Sequence, residues 1–430
     1  MALSASAFPD RRSIEADQFE KLKALLGSLL GVNRFYSAKL EAAGVGPDLK
    51  SLEEYSRRVP FTQKRELAQD QRDHPPYGTN LTYPLERYTR FCQTSATSGQ
   101  PMHWLDTPES WNWMLDNWTD VFRTSGVTAR DRIFFAFSFG PFLGFWTAFE
   151  AALRMGCLCI PGGGMRSSAR LHAILDTGAT VLCCTPTYSI RLAEVAAEQG
   201  IDLRPARIRE IFVAGENGGS IPATRAHIQK LWRGAHIVDQ HGMTETGPVS
   251  YSCPVRPGVL HVMESAYIAE VISTESGDPV PPGGTGELVL TNLGRTGSPV
   301  LRYRTGDLVE RAAESPCACG RYDLALEGGI LGRTDDMVVV RGVNVYPSAV
   351  EDVLRGFGIA EYRVEIRTER ALPELSIQIE PSPGHPDGAG LAHQLEAALN
   401  NAFSLRIPVS CVHQGELPRF EMKARRWVRV

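Results

Sequence analysis

The chain has 430 residues, with 45 Lys and Arg against 49 Asp and Glu, and its formal net charge is −4. Because it has no basic surplus to hold a phosphate backbone, we expect no nucleic-acid partner. No apolar run approaches the ~18 residues of a membrane span, and the N-terminus lacks the apolar core of a signal peptide. These features predict a cytoplasmic protein that does not bind membranes.

The residue content is that of a globular protein with more than one domain. Hydrophobic residues make up 43% of the sequence and charged residues 22%. At roughly 150 residues per domain, the length predicts two or three domains. The nine cysteines are sparse and odd in number, which argues against a disulfide framework and favours reduced thiols, some of them available to metals.

The N-terminal part predicts helices and then a parallel sheet. Apolar residues recur at helical spacing from residue 14 to about residue 40, which predicts one amphipathic helix. Between residues 132 and 242, apolar runs of strand length alternate with helical patterns. This alternation indicates βαβ units and a mainly parallel sheet with helices on its faces.

The pattern of predicted secondary structure changes twice in the second half of the sequence. Residues 267–309 consist of short strand-like pieces, the last at 300–303, broken by Pro and Gly, which indicates an antiparallel or barrel-like β subregion. After about residue 332, strands and helices alternate again. The predicted fold class is therefore α/β, with a large N-terminal domain over residues 1–332 that contains parallel sheets and the barrel-like subregion, and a small α+β C-terminal domain over residues 333–430.

Residues 94–101 (TSATSGQP) form the first segment of chemical interest. They collect four hydroxyls and a glycine, and hydroxyls and backbone N–H groups in such a turn can wrap a polyphosphate. The segment is not a Walker loop, because it has neither the second glycine nor the lysine that reaches the β- and γ-phosphates. Taken alone, it is better explained as a polar surface turn.

Two further segments carry carboxylates beside predicted strands. In residues 241–247 (HGMTETG), Glu245 stands among hydroxyls and is a suitable oxygen ligand for a phosphate-bound Mg²⁺. Asp307 closes residues 302–307 (RYRTGD), where we predict a strand end and a carboxylate that accepts both hydroxyl protons of a ribose. The alternative for Asp307 is a solvated turn.

These three segments stand in order along the chain, and residues 332–347 (GRTDDMVVVRGVNVYP) follow at the predicted domain boundary. Together they resemble the adenylate-forming acyl-CoA synthetase superfamily and, within it, the phenylacetate–CoA ligase family of aryl-acid ligases. The resemblance spans residues 94–423. It implies that ATP with Mg²⁺ activates a carboxylic acid to an acyl adenylate, and that coenzyme A then takes the acyl group as a thioester, with release of AMP and pyrophosphate.

The resemblance implies roles in nucleotide binding for individual residues. Thr244 and Glu245 correspond to the family's AMP-phosphate and Mg²⁺ residues. Asp307 and Arg333 correspond to its ribose clamp, and residues 94–101 to its mobile phosphate loop. The nucleotide-binding residues expected on this basis are Thr94, Ser95, Thr97, Ser98, Gly99, Gly215, Glu216, His241, Gly242, Met243, Thr244, Asp307 and Arg333.

The resemblance also places parts near the C-terminus. Lys423 corresponds to a tail lysine whose ammonium bridges the acyl carboxylate and the α-phosphate, so Lys423, Thr244 and Glu245 are the expected catalytic residues. Asp335 stands at the hinge about which the small, mobile domain rotates. Gly342 lies in the segment that lines the pantetheine tunnel. Without the resemblance, Lys423 would be interpreted as a solvated surface charge.

Three positions depart from the family pattern. Ala96 replaces a usual glycine and Gln100 a usual lysine, so the loop is stiffer and lacks one cation near the phosphates. Met422 replaces the usual glycine before the tail lysine, where a side chain restricts the backbone. These departures leave open a slow adenylation step and an acceptor other than coenzyme A.

Cys253 and His261, separated by seven residues, and Cys317 and Cys319, separated by one, form a candidate metal set. Three thiolates and an imidazole are a usual composition of structural zinc sites. By spacing alone, buried or idle cysteines are the simpler interpretation, because a CxC pair is tighter than the common spacing. Some phenylacetate–CoA ligase relatives resemble this chain in carrying such a site, which favours structural Zn²⁺ here, although other soft divalent ions fit the same set.

Aromatic residues crowd residues 134–146, a region that contributes to the acyl pocket in the resembling family. Core packing explains most of them. An aromatic-lined slot suits a flat aryl acid, so we predict an arylacetic or benzoic-type acid as substrate, with ATP and coenzyme A as the other small-molecule partners. Two alternatives remain: adenylation followed by transfer to a carrier protein or an amine, and a zinc-stabilised nucleotide-binding protein without turnover. The resemblance also implies a homodimer.

Overall fold

The computed structural model describes residues 8–94, 100–144, 146–334, 336–341, 343–369, 372–382, 388–420 and 423–430. The chain divides into two compact units, and each takes segments from two parts of the sequence. One unit comprises Met1–Gly164 and Val238–Gly329, and the other comprises Met165–Ile237 and Ile330–Val430. The division of the chain into domains over residues 1–332 and 333–430 stays a prediction.

Short helices begin the first unit. They are α1 (Arg11–Leu29), α2 (Arg34–Ala42), α3 (Leu52–Arg58) and α4 (Lys64–Asp73), followed by a 3-10 turn at Leu85–Arg87. The prediction of one continuous helix from residue 14 to residue 40 is therefore wrong. Between α1 and α2, Gly31 adopts a φ of +76°, and the Asn33 side chain then starts α2 by accepting a hydrogen bond from the Tyr36 N–H.

A β-hairpin and a parallel strand pair follow in the first unit. The elements are β1 (Arg90–Gln93), β2 (His103–Asp106), α5 (Pro108–Thr124), β3 (Arg132–Phe135), α6 (Trp146–Arg154) and β4 (Leu158–Pro161). The antiparallel strands β1 and β2 flank the predicted phosphate loop. Strands β3 and β4 run parallel with α6 between them, which confirms a βαβ unit in this region.

The second unit contains another parallel pair. Its first elements are α7 (Ser167–Thr177), β5 (Val181–Cys184), α8 (Pro186–Glu198), β6 (Glu210–Ala214) and α9 (Pro222–Leu231). Strands β5 and β6 run parallel, with Cys184 opposite Val213. Because their carboxyl ends lie at one edge, residues 185–187 and 214–216 leave the sheet side by side, in the region where α/β proteins commonly place their ligands.

Residues 236–333 are mainly β-structure. The strands are β7 (His236–Gln240), β8 (Gly242–Met243), β9 (Gly247–Pro248), β10 (Ser250–Ser252), β11 (Leu260–Val262), β12 (Tyr267–Ile272), β13 (Thr285–Asn292), β14 (Tyr303–Arg311) and β15 (Ala325–Arg333). Six of these form one sheet in the order β10-β11-β15-β14-β13-β12, which confirms the barrel-like subregion. The strand predicted at 300–303 begins instead at Tyr303 and continues to Arg311.

The C-terminal region is a small four-stranded sheet with two helices. Its elements are β16 (Val338–Val340), β17 (Val343–Val345), α10 (Pro347–Arg355), β18 (Ile359–Glu369), β19 (Leu372–Pro381), α11 (Gly388–Phe403), β20 (Val409–Cys411) and β21 (Trp427–Arg429). The central strands β18 and β19 are antiparallel, and β20 and β21 flank them in parallel. Buried side chains of α10 and α11, such as Leu354 and Leu395, belong to its own core. The predicted α/β fold class is confirmed.

Over the part of the chain that the structure describes, no helix has both the length and the apolar character that a bilayer crossing requires.

Candidate active site

Thr244 and Glu245 lie in a tight turn between β8 and β9. Strands β8 and β9 pair antiparallel around this turn, with Gly242 opposite Pro248. A Cβ on Gly242 would lie 2.8 Å from the carbonyl oxygen of Gly247, so only glycine allows the two strands to approach this closely. The turn that presents Glu245 is therefore held by backbone pairing.

The Glu245 carboxylate is buried but has polar partners. Only 6% of its side chain is exposed, its Oε1 lies 3.1 Å from the Nζ of Lys64, and the same oxygen accepts a hydrogen bond from the Tyr303 hydroxyl at 3.3 Å. These two contacts compensate part of the free-energy cost of burying the carboxylate. Carboxylate oxygen is a hard ligand that suits Mg²⁺. The sequence motifs did not indicate Lys64, because it lies far earlier in the chain and outside all of them.

A buried ion pair fixes the neighbouring residue Thr244. Arg295 donates from Nε and Nη2 to the two carboxylate oxygens of Asp106, at 2.7 and 2.6 Å, and from Nη1 to the carbonyl oxygen of Thr244 at 2.6 Å. Both charged side chains are fully buried. This bidentate pair connects β2 to the Thr244 turn. No local pattern marks Arg295 or Asp106, so sequence analysis missed both.

The structure brings His241 and Asp307 together. The Nε2 atom of His241 lies 2.9 Å from Oδ2 of Asp307, and only 10% of the histidine side chain and 7% of the aspartate side chain are exposed. The prediction that Asp307 ends a strand is wrong, because Asp307 lies within β14. Gly306 has a φ of +76°, and the pairing of β13 with β14 shifts register nearby, so a local irregularity rather than a strand end shapes this site.

Thr94 closes the base of the hairpin that precedes the predicted phosphate loop. Its backbone N–H donates to the carbonyl oxygen of Met102 at 2.9 Å, and its hydroxyl accepts from the Met102 N–H at 3.0 Å. Thr94 therefore anchors the loop, with its hydroxyl engaged in a backbone hydrogen bond. Several predicted residues lie outside the described part of the chain. They are the loop residues Ser95, Ala96, Thr97, Ser98 and Gly99, the hinge residue Asp335, the tunnel residue Gly342, and Met422.

In the second unit, Gly215 and Glu216 contact the tail that carries Lys423. Gly215 has a φ of +93°, and a Cβ placed on it would lie 3.4 Å from Cε of Lys423. Glu216 accepts a hydrogen bond from the Ala424 N–H at 2.8 Å and another from the Thr187 N–H at 2.9 Å. Because the Thr187 N–H belongs to the first turn of α8, the helix dipole favours the carboxylate there.

A second contact holds the same tail. The buried Arg426 donates to both carboxylate oxygens of Glu361, at 2.6 and 3.2 Å, and to the hydroxyl of Thr187 at 3.4 Å. Burial alone would raise the pKa of Glu361, but the charge and hydrogen bond of Arg426, the charge of Arg355 and the Tyr362 N–H together outweigh burial and lower that pKa. The tail is thus bound on both sides of residue 425. Arg333, the other predicted ribose residue, is the last residue of β15.

The predicted metal set forms one buried cluster in the first unit. The ligand atoms of Cys253, His261, Cys317 and Cys319 all lie within 4.8 Å of one another, and all four residues are buried. The two Sγ atoms of Cys253 and Cys317 are 3.9 Å apart, and Sγ of Cys319 is 3.4 Å from Nε2 of His261. With Zn–S of about 2.3 Å and Zn–N of about 2.0 Å, a tetrahedral ion separates its ligands by about 3.5 to 3.8 Å, so the cluster fits Zn²⁺.

The surroundings of the cluster also suit a metal. Nδ1 of His261 lies 3.3 Å from the carbonyl oxygen of Asp323, which orients the ring with Nε2 toward the thiols. Burial lowers the pKa of His261 and keeps its imidazole neutral. Burial raises the pKa of Cys319 to about 12, whereas for Cys317 the opposing effect of burial is outweighed by the Cys319 N–H and the Arg256 guanidinium, and its pKa is lowered.

The predicted aromatic region forms a connected group of rings in the first unit. The ring centroids of Phe137 and Phe139 are 4.6 Å apart, and those of Phe139 and Trp146 are 4.7 Å apart. A Cβ on Gly163 would lie 3.0 Å from the Phe139 ring, so the glycine leaves room for that ring. Offset and edge-to-face contacts of this kind stabilise a fixed aromatic wall.

Comparisons with known proteins agree with this geometry. The family model described as AMP-binding enzyme matches residues 63–294, and the model of the AMP-binding enzyme C-terminal domain matches residues 342–429. The chain is 32% identical to the phenylacetate-coenzyme A ligase of Thermus thermophilus, over 86% of this chain and 82% of the relative. It is 30% identical to the phenylacetate-coenzyme A ligase of Escherichia coli, over 96% of this chain and 93% of the relative.

Solved structures give the same result. The crystal structure of 2-hydroxyisobutyryl-CoA ligase in the postadenylation state, in complex with 2-HIB-AMP, matches with a TM-score of 0.92 at 27% identity, over 98% of this chain and 90% of that chain. The chain therefore belongs to the phenylacetate–coenzyme A ligase family of AMP-binding enzymes, the AMP-forming acid–CoA ligases that activate an acid with ATP and then form its coenzyme A thioester.

Proposed function

We propose that the chain activates an aryl carboxylic acid with ATP and transfers the acyl group to coenzyme A. In the first step the acid's carboxylate attacks the α-phosphorus of ATP, and pyrophosphate leaves. In the second step the coenzyme A thiol attacks the acyl carbonyl, AMP leaves, and the thiol proton is released. The observation that supports this most is the bound tail, in which Lys423 lies against Gly215 while Glu216 holds Ala424.

Lys423 is the residue we assign to the adenylation step. Its ammonium would neutralise charge as the acid's carboxylate approaches the α-phosphate, two groups that otherwise repel each other. The Glu216 and Arg426 contacts limit the freedom of the tail, so less entropy is lost when Lys423 engages the substrate.

Residues of the first unit are assigned to the nucleotide. Asp307, already oriented by His241, would accept the ribose hydroxyl protons. Thr244, whose carbonyl is held by Arg295, would face the α-phosphate. Glu245 would hold Mg²⁺, which when bound neutralises phosphate charge.

The acid itself is proposed to be arylacetic or benzoic in type. The aromatic wall of Phe137, Phe139 and Trp146 supports a flat substrate, and the phenylacetate-coenzyme A ligases are relatives at 30% identity or more. The 2-hydroxyisobutyryl-CoA ligase structures suggest a small branched acid as the competing candidate. The similarity to coenzyme A ligases favours coenzyme A as the acceptor over a carrier protein or an amine. The same similarity favours an enzyme over a nucleotide-binding protein without turnover.

The Cys–His cluster is proposed to hold one structural Zn²⁺. Three thiolates and an imidazole fill all four positions of a tetrahedral ion and leave none for substrate. The ion would tie the end of β10 and strand β11 to the turn between β14 and β15. The homodimer and the cytoplasmic location stay predictions.

Acid-dependent pyrophosphate release from MgATP tests the function. The panel includes phenylacetate, benzoate, 2-hydroxyisobutyrate and a straight-chain acid, each with and without coenzyme A, for the wild type and Lys423→Ala. We expect release with an aryl acid, a thioester only with coenzyme A, and a loss of release by orders of magnitude in Lys423→Ala. Release that is equal in the two proteins would contradict the assignment of Lys423, and silence with every acid would contradict the ligase proposal.

A further inference from the structure

The predicted phosphate loop has no cation of its own. Residues 94–101 contain neither lysine nor arginine. The triphosphate of ATP is a dense polyanion, and phosphate-binding loops commonly place a lysine on its β- and γ-phosphates. Gln100, which is exposed, cannot supply that charge. A side-chain cation for the departing pyrophosphate would therefore have to come from another part of the chain.

Lys64 is placed to supply it. It is the first residue of α4, and its Nζ lies 3.1 Å from Oε1 of Glu245, the carboxylate proposed to hold Mg²⁺. The lysine side chain is 54% exposed, whereas the carboxylate is 6% exposed. The cation beside Thr244, Arg295, is fully buried and paired with Asp106, so it cannot reach a ligand. Lys64 combines charge, proximity and access.

The position of Lys64 is fixed from both sides. Before it, the Thr62 N–H donates to the Arg302 carbonyl and the Thr62 carbonyl accepts from the Arg304 N–H, each at 2.9 Å, so the entry to α4 is fastened to β14. Two turns later, Gln71 exchanges two hydrogen bonds with the backbone of His103, at 2.7 and 2.9 Å. Since His103 begins β2, helix α4 is attached to the hairpin that carries the phosphate loop.

Local stability does not explain a lysine at this position. The first turn of a helix carries a partial positive charge and disfavours cations. The contact of Lys64 with Glu245 is screened by water on the lysine side, where 54% of the side chain is exposed, and the buried carboxylate has a second partner in the Tyr303 hydroxyl. The charge at residue 64 is better explained by an anion that binds beside Glu245.

We propose that Lys64 is a catalytic residue that binds the β- and γ-phosphates of ATP, in place of the lysine that the loop lacks. The inference rests on the proposed function, because it assigns Glu245 to the metal that accompanies the phosphates. In the free enzyme the Lys64 ammonium contacts Glu245. When MgATP binds, the ammonium exchanges this carboxylate for phosphate oxygens, and it then stabilises the charge that develops on pyrophosphate as it leaves.

The test compares the dissociation constants of MgATP and AMP, measured by calorimetry for the wild type, Lys64→Ala and the control Arg65→Ala. Arg65 is the exposed neighbour on α4, so its removal changes the net charge equally. We expect Lys64→Ala to weaken MgATP about 10- to 100-fold, as for the loss of a charge-assisted contact, and AMP less than about twofold. Lys64→Ala should lower the melting temperature by no more than about 4 °C, because Glu245 keeps its hydrogen bond from the Tyr303 hydroxyl. Equal weakening of AMP and MgATP, or behaviour like that of Arg65→Ala, would overturn the proposal.

Gln100→Lys provides a gain-of-function arm. Placed in the Lys64→Ala protein, it should restore most of the lost MgATP affinity and of the acid-dependent pyrophosphate release. If Gln100→Lys restores neither property, positions 64 and 100 do not bind the same phosphates. That result would refute the proposal that Lys64 takes the place of the missing loop lysine. A wild type that binds MgATP tightly but releases no pyrophosphate with any acid would reject the ligase proposal alone, since the affinity comparison still decides the role of Lys64.

Discussion

The Cys–His cluster and the Glu245 turn are both buried sites of the first unit that suit a metal, but they differ in completeness. The cluster collects four soft ligand atoms within 4.8 Å, from residues that are all buried. Glu245 offers one hard carboxylate, and its cationic neighbour Lys64 is more than half exposed. The first site is closed by the protein itself, whereas the second needs atoms from a ligand.

This difference separates stability from turnover. A closed site contributes to folding, because its ligands exist as a set only in the folded chain. An open site leaves charge uncompensated until substrate arrives, so its residues contribute mainly to binding and chemistry. Substitutions should therefore fall into two groups, and the following predictions, ordered by their expected effect on adenylation, test that division.

Asp307→Ala should give the largest effect. It removes the carboxylate proposed to bind two ribose hydroxyls, so kcat/KM for ATP should fall by about 100-fold or more, with little change in melting temperature. The measurement is pyrophosphate release at varied ATP. The control is Asp278→Ala, an exposed acid in the same β-rich region. A large loss of stability without a change in KM for ATP would show that Asp307 contributes to folding and not to ATP binding.

Glu216→Gln should reduce adenylation by roughly 10- to 100-fold, because the amide cannot accept both N–H groups and the tail loses a fixed point beside Lys423. Thioester formation from pre-formed acyl adenylate should change less. In the Lys423→Ala background the same substitution should add no further loss, which a double-mutant cycle measures. Glu198→Gln, on the exposed end of α8, is the control. An equal loss in both half-reactions would argue against a positioning role.

Arg295→Met should reduce both the stability and the adenylation rate. It leaves the buried Asp106 without its ion-pair partner, and it removes the hydrogen bond to the Thr244 carbonyl. We expect a loss of about 3 to 5 kcal/mol in the free energy of unfolding, measured by urea titration, and about tenfold slower adenylation. Adding Asp106→Leu should recover much of the stability but not the rate, because the turn stays unsupported. Joint recovery of both would show that the pair serves folding alone.

Cys319→Ser should have the smallest effect on adenylation, less than about twofold below the melting temperature. Zinc content by mass spectrometry should fall from one ion per chain to near zero, and the melting temperature should drop by about 5 to 10 °C. Cys411→Ser, at an exposed cysteine outside the cluster, should change neither. If the metal-free wild type had the same melting temperature, the Cys–His cluster would not stabilise the fold through a bound metal.

Sequence patterns predicted what is local or ordered along the chain. The predicted β subregion over residues 267–309 contains β12, β13 and most of β14, because short apolar runs broken by Pro and Gly are a local signal. The Cys–His set could be named from residue type, and the structure brings it together. The break between α1 and α2 was missed, since apolar residues such as Phe35, Tyr36 and Leu40 continue beyond Gly31.

The missed site residues are those defined only by the fold. Asp106 and Arg295 meet across 189 positions of sequence, and neither belongs to a motif. Lys64 looks like an ordinary exposed residue at a helix start, and only its distance to Glu245 distinguishes it. The assignment of Asp307 to the ribose stays a prediction, and the irregularity that places it inside β14 depends on pairing with β13 and is not visible in a single segment.

The Glu216 contact has a consequence for how freely this enzyme can be recombined. At position 424, Glu216 binds a backbone N–H and not a side chain. Every amino acid except proline presents that N–H. The tail can therefore drift in sequence at this position without losing its anchor, and chimeras that exchange tails between homologues should stay active as long as Glu216 is kept and no proline enters at residue 424.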